Sequence, residues 1–413
     1  MRHSIIAIVL LHVALANGIA SAQGIASYRA IHHPEYSDHG MVVAQNKVPA
    51  EIGAAILEQG GNAVDAAVAV GFALGVTLPR AGNIGGGGFM LVYDAESDTT
   101  VAIDYREMAP LGATRDMFLD ADGNPDPNLS RSSHLAVGVP GTVAGFFYAH
   151  QEYGRLPWRQ VVQPAVDLAR DGIVVTHDLA TQLARRKERL CGNVAACEYF
   201  FKPGGVPYTM GERLVQADLA DTLALIAEQG AEAFYKGAIA DKIVAEMERG
   251  GGLIDKASLA AYEPAVREPL RGAYRGYEIV TMPPTSSGGV HIIQMLNVLE
   301  HFPIAEYGAG SANEIHVLAE VMRRAYADRS QYLGDPDFYD VPIDWLTSRG
   351  YAAELAESIK LHKATPSAEI RPGSPVPVEG EDTTHYTVAD LDGNFISNNY
   401  TINTSYGTGI AVA

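Results

Sequence analysis

Cysteine is almost absent from this 413-residue sequence, with Cys191 and Cys197 its only thiols. Two cysteines with no second pair nearby exclude a zinc site of the usual kind. They leave one candidate disulfide, Cys191–Cys197, of structural role in an oxidising compartment. Positive charge is also scarce: 30 Lys and Arg stand against 49 Asp and Glu, a net charge of −19, with no basic run. Nucleic acid and anionic membranes are therefore poor partners, and an anionic substrate must be met by a local cation. After the first 22 residues no segment has the length and hydrophobicity of a membrane span. Signature motifs are missing as well. There is no HExxH and no G-x-S-x-G elbow, and no Lys-Ser/Thr follows the glycine run at 85–88, which argues against a phosphate loop.

What is present begins with an export signal. Arg2 makes a short basic region, residues 5–16 are apolar, and Ala20-Ser21-Ala22 forms an A-x-A cleavage site, so residues 1–22 read as a signal peptide. The sequence as a whole is 47% hydrophobic and 19% charged, ordinary for a globular protein with a large core. Residues 41 onward read as a strand and two helices, over 50–59 and from Asn62 as N-cap to about 76. The second is so rich in Ala and Val that it should be buried on nearly all sides. The glycines at 85–88 read as a tight backbone passage, followed by a hairpin over 89–104.

Further helices are expected over 178–189, 218–229, 237–249, 256–262, 290–300 and 312–332. A strand is expected over 274–282 and an exposed loop over 191–205. Ser286 reads as a helix cap rather than a nucleophile. His316 and Glu320, at i, i+4, read as structural rather than metal-ligating, and no metal or cofactor is expected.

The stretch DTTHYTVADLDGNFISNNYTINTSYGTG, from Asp382, has a different character. Two strand-like runs, 384–389 and 395–402, flank turn chemistry at 390–394. An odd loop sets Asp390 opposite Asn394 and Thr383 opposite Thr401, whereas a two-residue loop would send Thr401 to the other face. The odd register is the expectation, because it brings two hydroxyls together. On pattern alone, a Thr-Thr cross-strand pair is common in any sheet. Arg106, between Asp104 and Glu107, likewise reads on its own as half of a structural ion pair.

The runs TTHYTVAD-x-DGN and YTINTSYGTG, with GGNAVDAAVA, AGNIGGGGF, REMAP and GVPG earlier in the chain, closely resemble the γ-glutamyltransferase (glutathione hydrolase) family, in matching order after the signal. The resemblance implies an α+β fold, the N-terminal-nucleophile hydrolase αββα sandwich of two stacked sheets between helical layers, here partial and with a helix-rich large-subunit lobe. It implies a precursor cut at the Asp382–Thr383 bond. The large subunit is then 23–382, reached through an accessible linker over 371–379, and 383–413 is the start of the small subunit.

In that scheme Thr383 is the nucleophile, Thr401 orients its hydroxyl, and Arg106 and Asn403 bind the glutamyl head. Glutathione and other γ-glutamyl compounds are donors, with water, amino acids or peptides as acceptors. The setting is secreted or periplasmic, with no membrane in the mature form. The sequence departs from the pattern by ending at Ala413, before the oxyanion-hole glycines of the family, so these 413 residues alone are expected to be poorly stable and inactive. A smaller departure is Asn399, where a threonine is frequent. Rival expectations are a glutaryl or cephalosporin-type acylase of the same fold, and a non-catalytic binding protein that keeps it.

Overall fold

Alternation in the last thirty residues explains the centre of the molecule. In the computed structural model, which describes residues 35–370 and 383–413, two strands of seven residues carry Thr384, Tyr386 and Val388, then Ile396, Asn398 and Tyr400, on a buried face. Thr383, His385, Ser397 and Asn399 point to the opposite, exposed face. Thr383 pairs with Thr401, and the Asp390 N–H donates to the Asn394 carbonyl at 3.1 Å. The loop is therefore Leu391-Asp392-Gly393, and the odd register holds.

The strands, in chain order, are β1 (Met41–Val43), β2 (Gly87–Asp94), β3 (Thr99–Asp104), β4 (Ile173–Val174), β5 (Arg213–Leu214), β6 (Ala265–Arg267), β7 (Leu270–Tyr274), β8 (Tyr277–Thr281), β9 (Thr383–Ala389) and β10 (Phe395–Thr401). Six of them form an antiparallel sheet in the order β1-β9-β10-β2-β3-β6, with the late hairpin inserted between strands from the start of the chain. Of the stacked pair of sheets expected for the sandwich, the described residues show this six-stranded sheet, with β4-β5 and β7-β8 forming two separate two-stranded sheets.

Helix Ala63–Thr77 lies against the buried face and, as its composition predicts, only Gly75 of its residues is not buried. Asn62 caps it, accepting from the N–H groups of Val64 and Asp65, while Asp65 accepts from the Asn62 N–H at 3.0 Å. Gly71 is required where it stands, because a Cβ there would collide with the Phe146 ring. The Tyr400 hydroxyl donates to the Gly71 carbonyl at 2.8 Å, and Tyr105 donates to Asn398 Oδ1 at 2.6 Å. Both tyrosines can therefore be fully buried without an orphaned hydroxyl.

The turn of the hairpin is pinned just as firmly. Asp390 Oδ2 accepts from the Ala63 N–H at 2.9 Å, placing a carboxylate on the positive end of the helix. The Asn394 side chain accepts from the Ala95 N–H in the β2–β3 turn.

Three local expectations need correction. Residues 191–205 are not an open loop. Asn193 caps a helix, Val194–Phe200, and the disulfide Cys191–Cys197 together with buried Ala196 and Phe201 ties it into the core. The segment 274–282 is not one strand. Arg275 and Gly276, both at positive φ, form the turn of the β7–β8 hairpin. The helix expected over 256–262 stops at Ala260, which releases Tyr262 from it.

Ser286 caps its helix as expected, although Ser287–Leu299 begins three residues early, and Ala312–Tyr332 has the expected bounds. A small separate core of Val298, Leu299, Val317, Val321, Ala352, Ala356 and Ile359 holds this helical lobe together. The signal, the 371–379 linker and Asp382 lie outside the described residues. Among the described residues no helix is long and apolar enough to cross a membrane.

Candidate active site

Three ladders bring the candidate residues into one row across the sheet. Thr383 starts β9, and Thr401, opposite it, also faces Gly87 on β2. Gly88 and Tyr105 exchange backbone hydrogen bonds of 3.2 and 3.0 Å, so Arg106, just past β3, comes level with Gly87. Thr383 and Arg106 are thus three strand steps apart, roughly 14 Å between backbones at about 4.8 Å per step. The glycine run makes this row possible: a Cβ on Gly86 would strike the Thr401 carbonyl, and one on Gly88 the Asn399 carbonyl. A close backbone passage is what the sequence predicted there.

At one end of the row the Thr383 hydroxyl is directed at Thr401 Oγ1 across 3.4 Å. That oxygen also accepts the Asn403 N–H at 3.0 Å. The bond is possible because Asn403 adopts the left-handed conformation, φ 64°, which asparagine tolerates better than most residues. Turned this way, Asn403 presents Oδ1 to Arg106 Nη2 at 2.8 Å. Two residues far apart in sequence are thereby joined, and through Thr401 they are linked to Thr383.

Arg106 shows how the ion-pair reading fares. Asp104 does not take its side chain, because Asp104 Oδ2 is occupied by Arg267 Nε at 2.9 Å. Glu107 Oε2 lies 3.3 Å from Arg106 Nε, so part of that reading holds. Burial pushes the Glu107 carboxyl above its usual range, against the pull of the Arg106 cation. The guanidinium stands over the Phe89 ring and the side chain remains 42% exposed. An exposed guanidinium held beside an amide oxygen, on an aromatic floor, is suited to a planar carboxylate.

The other candidates are structural. His316 faces the Lys360 carbonyl, and Glu320 is consumed by Arg323, Arg324 and the Thr365 N–H. Among the described residues no group of three or more His, Cys, Asp or Glu side chains is placed to hold a metal.

Sequence reasoning missed the residues that hold the segment after Thr401. Arg189 donates to the Ser405 carbonyl at 3.2 Å and to the Gly407 carbonyl, and the Phe200 ring meets Tyr406 edge-on at 5.4 Å. No local pattern around Arg189 or Phe200 announces a partner more than two hundred positions away.

The sheet with its helical backing, and a threonine leading its central hairpin, define the N-terminal-nucleophile hydrolase fold class. The chain belongs to the γ-glutamyltranspeptidase family, whose sequence profile matches residues 49–413. It is 53% identical over 380 residues to the glutathione hydrolase proenzyme of Escherichia coli (strain K12), an alignment covering 92% of this chain and 65% of that protein. The crystal structure of Helicobacter pylori γ-glutamyltranspeptidase superposes with a TM-score of 0.81 at 45% identity, covering 85% of this chain and all of the matched one. The cephalosporin acylase of Bacillus halodurans superposes with the same TM-score, 0.81, at 28% identity, covering 95% of this chain and 70% of that one. The chain therefore spans just under two thirds of the length of the Escherichia coli relative.

Proposed function

We propose that the complete gene product is a glutathione hydrolase and γ-glutamyltransferase, exported through residues 1–22 and made as a precursor that cuts itself between Asp382 and Thr383. In the first step the Thr383 hydroxyl attacks the Asp382 carbonyl carbon. The C–N bond breaks, the Thr383 nitrogen takes up a proton, and an ester joins the two residues. Water opens that ester, leaving a carboxylate on Asp382 at the end of the large subunit, 23–382, and a free amine on Thr383 at the start of the small one.

The new amine is the base that the nucleophile lacked. An α-amine has a pKa of roughly 8, so much of it is neutral near pH 7 and can accept the hydroxyl proton, directly or through one water. Thr383 Oγ1 then attacks the γ-carbonyl of glutathione, the Cys-Gly amine leaves with a proton, and a γ-glutamyl ester remains. Water releases glutamate from it, or the amine of an amino acid or peptide takes the γ-glutamyl group. Thr401 orients the Thr383 hydroxyl in both stages, and Arg106 with Asn403 grips the α-carboxylate end of the donor. Every step uses groups of the chain and water.

The observation that carries this reading is the row Thr383–Thr401–Gly87–Arg106. An extended glutamyl chain covers about 5 Å between its γ-carbonyl and α-carboxylate carbons, and an extended arginine about 6 Å from Cα to the guanidinium carbon, at ~1.5 Å per bond. With a contact of about 3 Å at each end, they are long enough to bridge the three strand steps. Purified complete product should run as two polypeptides on a denaturing gel, the smaller beginning Thr-Thr-His-Tyr, and should hydrolyse γ-glutamyl anilide. A single uncut chain without that activity would favour a binding protein.

The likeness to a cephalosporin acylase makes the donor worth testing directly. Glutaryl anilide lacks the α-amino group, and its cleavage at a rate equal to the γ-glutamyl anilide would favour the acylase.

A further inference from the structure

Arg106 is the first residue beyond the β2–β3 ladder, so no strand partner receives its peptide groups. Both find side chains instead. Its N–H donates to Asp104 Oδ1 at 3.1 Å, and its carbonyl accepts the Tyr262 hydroxyl at 2.8 Å. We infer that Tyr262 is a positioning residue for the donor site, fixing through the Arg106 carbonyl the direction in which that arginine presents its guanidinium. The inference rests on the reading of Arg106 as the carboxylate grip.

Tyr262 is itself rigidly held, as such a role requires. It is buried, and its ring stacks on Tyr235 at 5.6 Å with an interplanar angle of 11°. The Tyr235 hydroxyl donates to the Pro140 carbonyl at 2.7 Å and accepts the Ala144 N–H at 3.2 Å. Gly141 leaves the space in which the Tyr262 hydroxyl lies, since a Cβ there would overlap it. Burial pushes the Tyr262 phenol far above its ordinary value, so it stays a protonated donor at any working pH.

Leverage makes a backbone contact matter at the tip of a long side chain. The guanidinium carbon lies about 6 Å from Cα, so a peptide tilt of about 10° displaces it by about 1 Å. A misplacement of that size at a binding group is enough to weaken a bidentate contact severely. The other jaw, Asp104, is braced from two further segments, by Arg267 Nε at 2.9 Å and Thr285 Oγ1 at 3.3 Å. The Arg106 peptide is thus clamped on both sides, and only the Tyr262 side can be released by removing a single oxygen.

The test is Tyr262→Phe in the complete gene product, alone and combined with Arg106→Ala, assayed with γ-glutamyl anilide. Tyr262→Phe keeps the stacked ring, so the protein should still fold and be cleaved before Thr383, with thermal stability lowered by no more than one hydrogen bond is worth. KM should rise about five- to tenfold with kcat nearly constant, the effect of displacing the carboxylate-binding guanidinium rather than removing it. In the Arg106→Ala background the same substitution should change KM no further. An unaltered KM in the otherwise wild-type protein, or an equal increase in both backgrounds, overturns the role of Tyr262. If Arg106→Ala itself leaves KM alone, the carboxylate grip is wrong and the clamp falls with it.

Discussion

At the exposed end of the sheet and on the helix Ala312–Tyr332, the same residue types gather with opposite outcomes. Arg106 divides its nitrogens between Asn403 and Glu107, keeps 42% of its side chain exposed, and belongs to a row ending in an exposed threonine. Glu320, on the helix, is fully buried. Its Oε1 accepts the Thr365 N–H at 2.8 Å and Arg323 at 3.1 Å, and its Oε2 accepts Arg324 at 2.7 Å. Arg324 in turn bonds Ser358 through its hydroxyl and carbonyl. One cluster has capacity left for a ligand; the other is saturated by the chain. A carboxylate and an arginine close in sequence are compatible with both, and what separates them is how much of their hydrogen-bonding capacity the fold consumes.

The largest effect expected on the open side is that of Thr383→Ala. It removes the hydroxyl to which the proposed mechanism assigns both chain scission and acyl transfer, so the precursor should stay uncut and γ-glutamyl anilide hydrolysis should fall by about 10⁴-fold or more. Two subunits on a denaturing gel would dismiss Thr383 as nucleophile. Next is Arg106→Ala, which should raise KM roughly 30- to 100-fold, the worth of charge-assisted contacts to a carboxylate. Scission should continue, because no step of the proposed cleavage uses the arginine. The closed side should respond in the opposite sense. Glu320→Ala strands Arg324 and the Thr365 N–H in the interior and should cost about 3–5 kcal/mol of stability in urea unfolding, with KM unaffected. A raised KM in that variant would erase the distinction between the two clusters.

How far the sequence reached follows the same division. Where local chemistry decides, it was readable: the odd loop of the β9–β10 hairpin, the Asn62 and Ser286 caps, the buried Ala-rich helix, and the bounds of Ala312–Tyr332. The close glycine passage was readable too, although the reason for it, the Thr401 and Asn399 carbonyls, was not. Arg106 was ambiguous from its neighbours alone, and only the family resemblance favoured a carboxylate role over an ion pair. The competitor that frees it from Asp104 is Arg267, more than 160 positions away. Tyr262 and Arg189 were invisible for the same reason. Each acts through a backbone carbonyl of a segment distant in sequence, and a carbonyl leaves no residue-type signature. At Val194–Phe200 the aromatic and glycine content points to a loop, while the Asn193 cap and the disulfide decide for a helix.

The finest test of the comparison lies within the helical lobe. Asp328 sits two turns beyond Glu320 on the same helix and is equally buried, but its donors are neutral: the Tyr351 hydroxyl at 2.9 Å and Gln294 Nε2 at 2.5 Å. Burial pushes its carboxyl above the ordinary value of 3.8, and the two donors offset this only in part. For Glu320, burial acts in the same direction but is outweighed by the Thr365 N–H and Arg324, which hold the group below its ordinary 4.5. The linkage signs are therefore opposite. Glu320 contributes stability above its unfolded pKa that is lost as the pH falls through its folded one. Asp328 binds its proton more tightly when folded, so its contribution falls as the pH rises from 3.8 through the folded value. Asp328→Asn should abolish that decline, flattening urea midpoints across the window just above pH 3.8. If instead the variant keeps the parent's slope, the proton is not held at Asp328, and saturation by neutral donors is as good as saturation by cations.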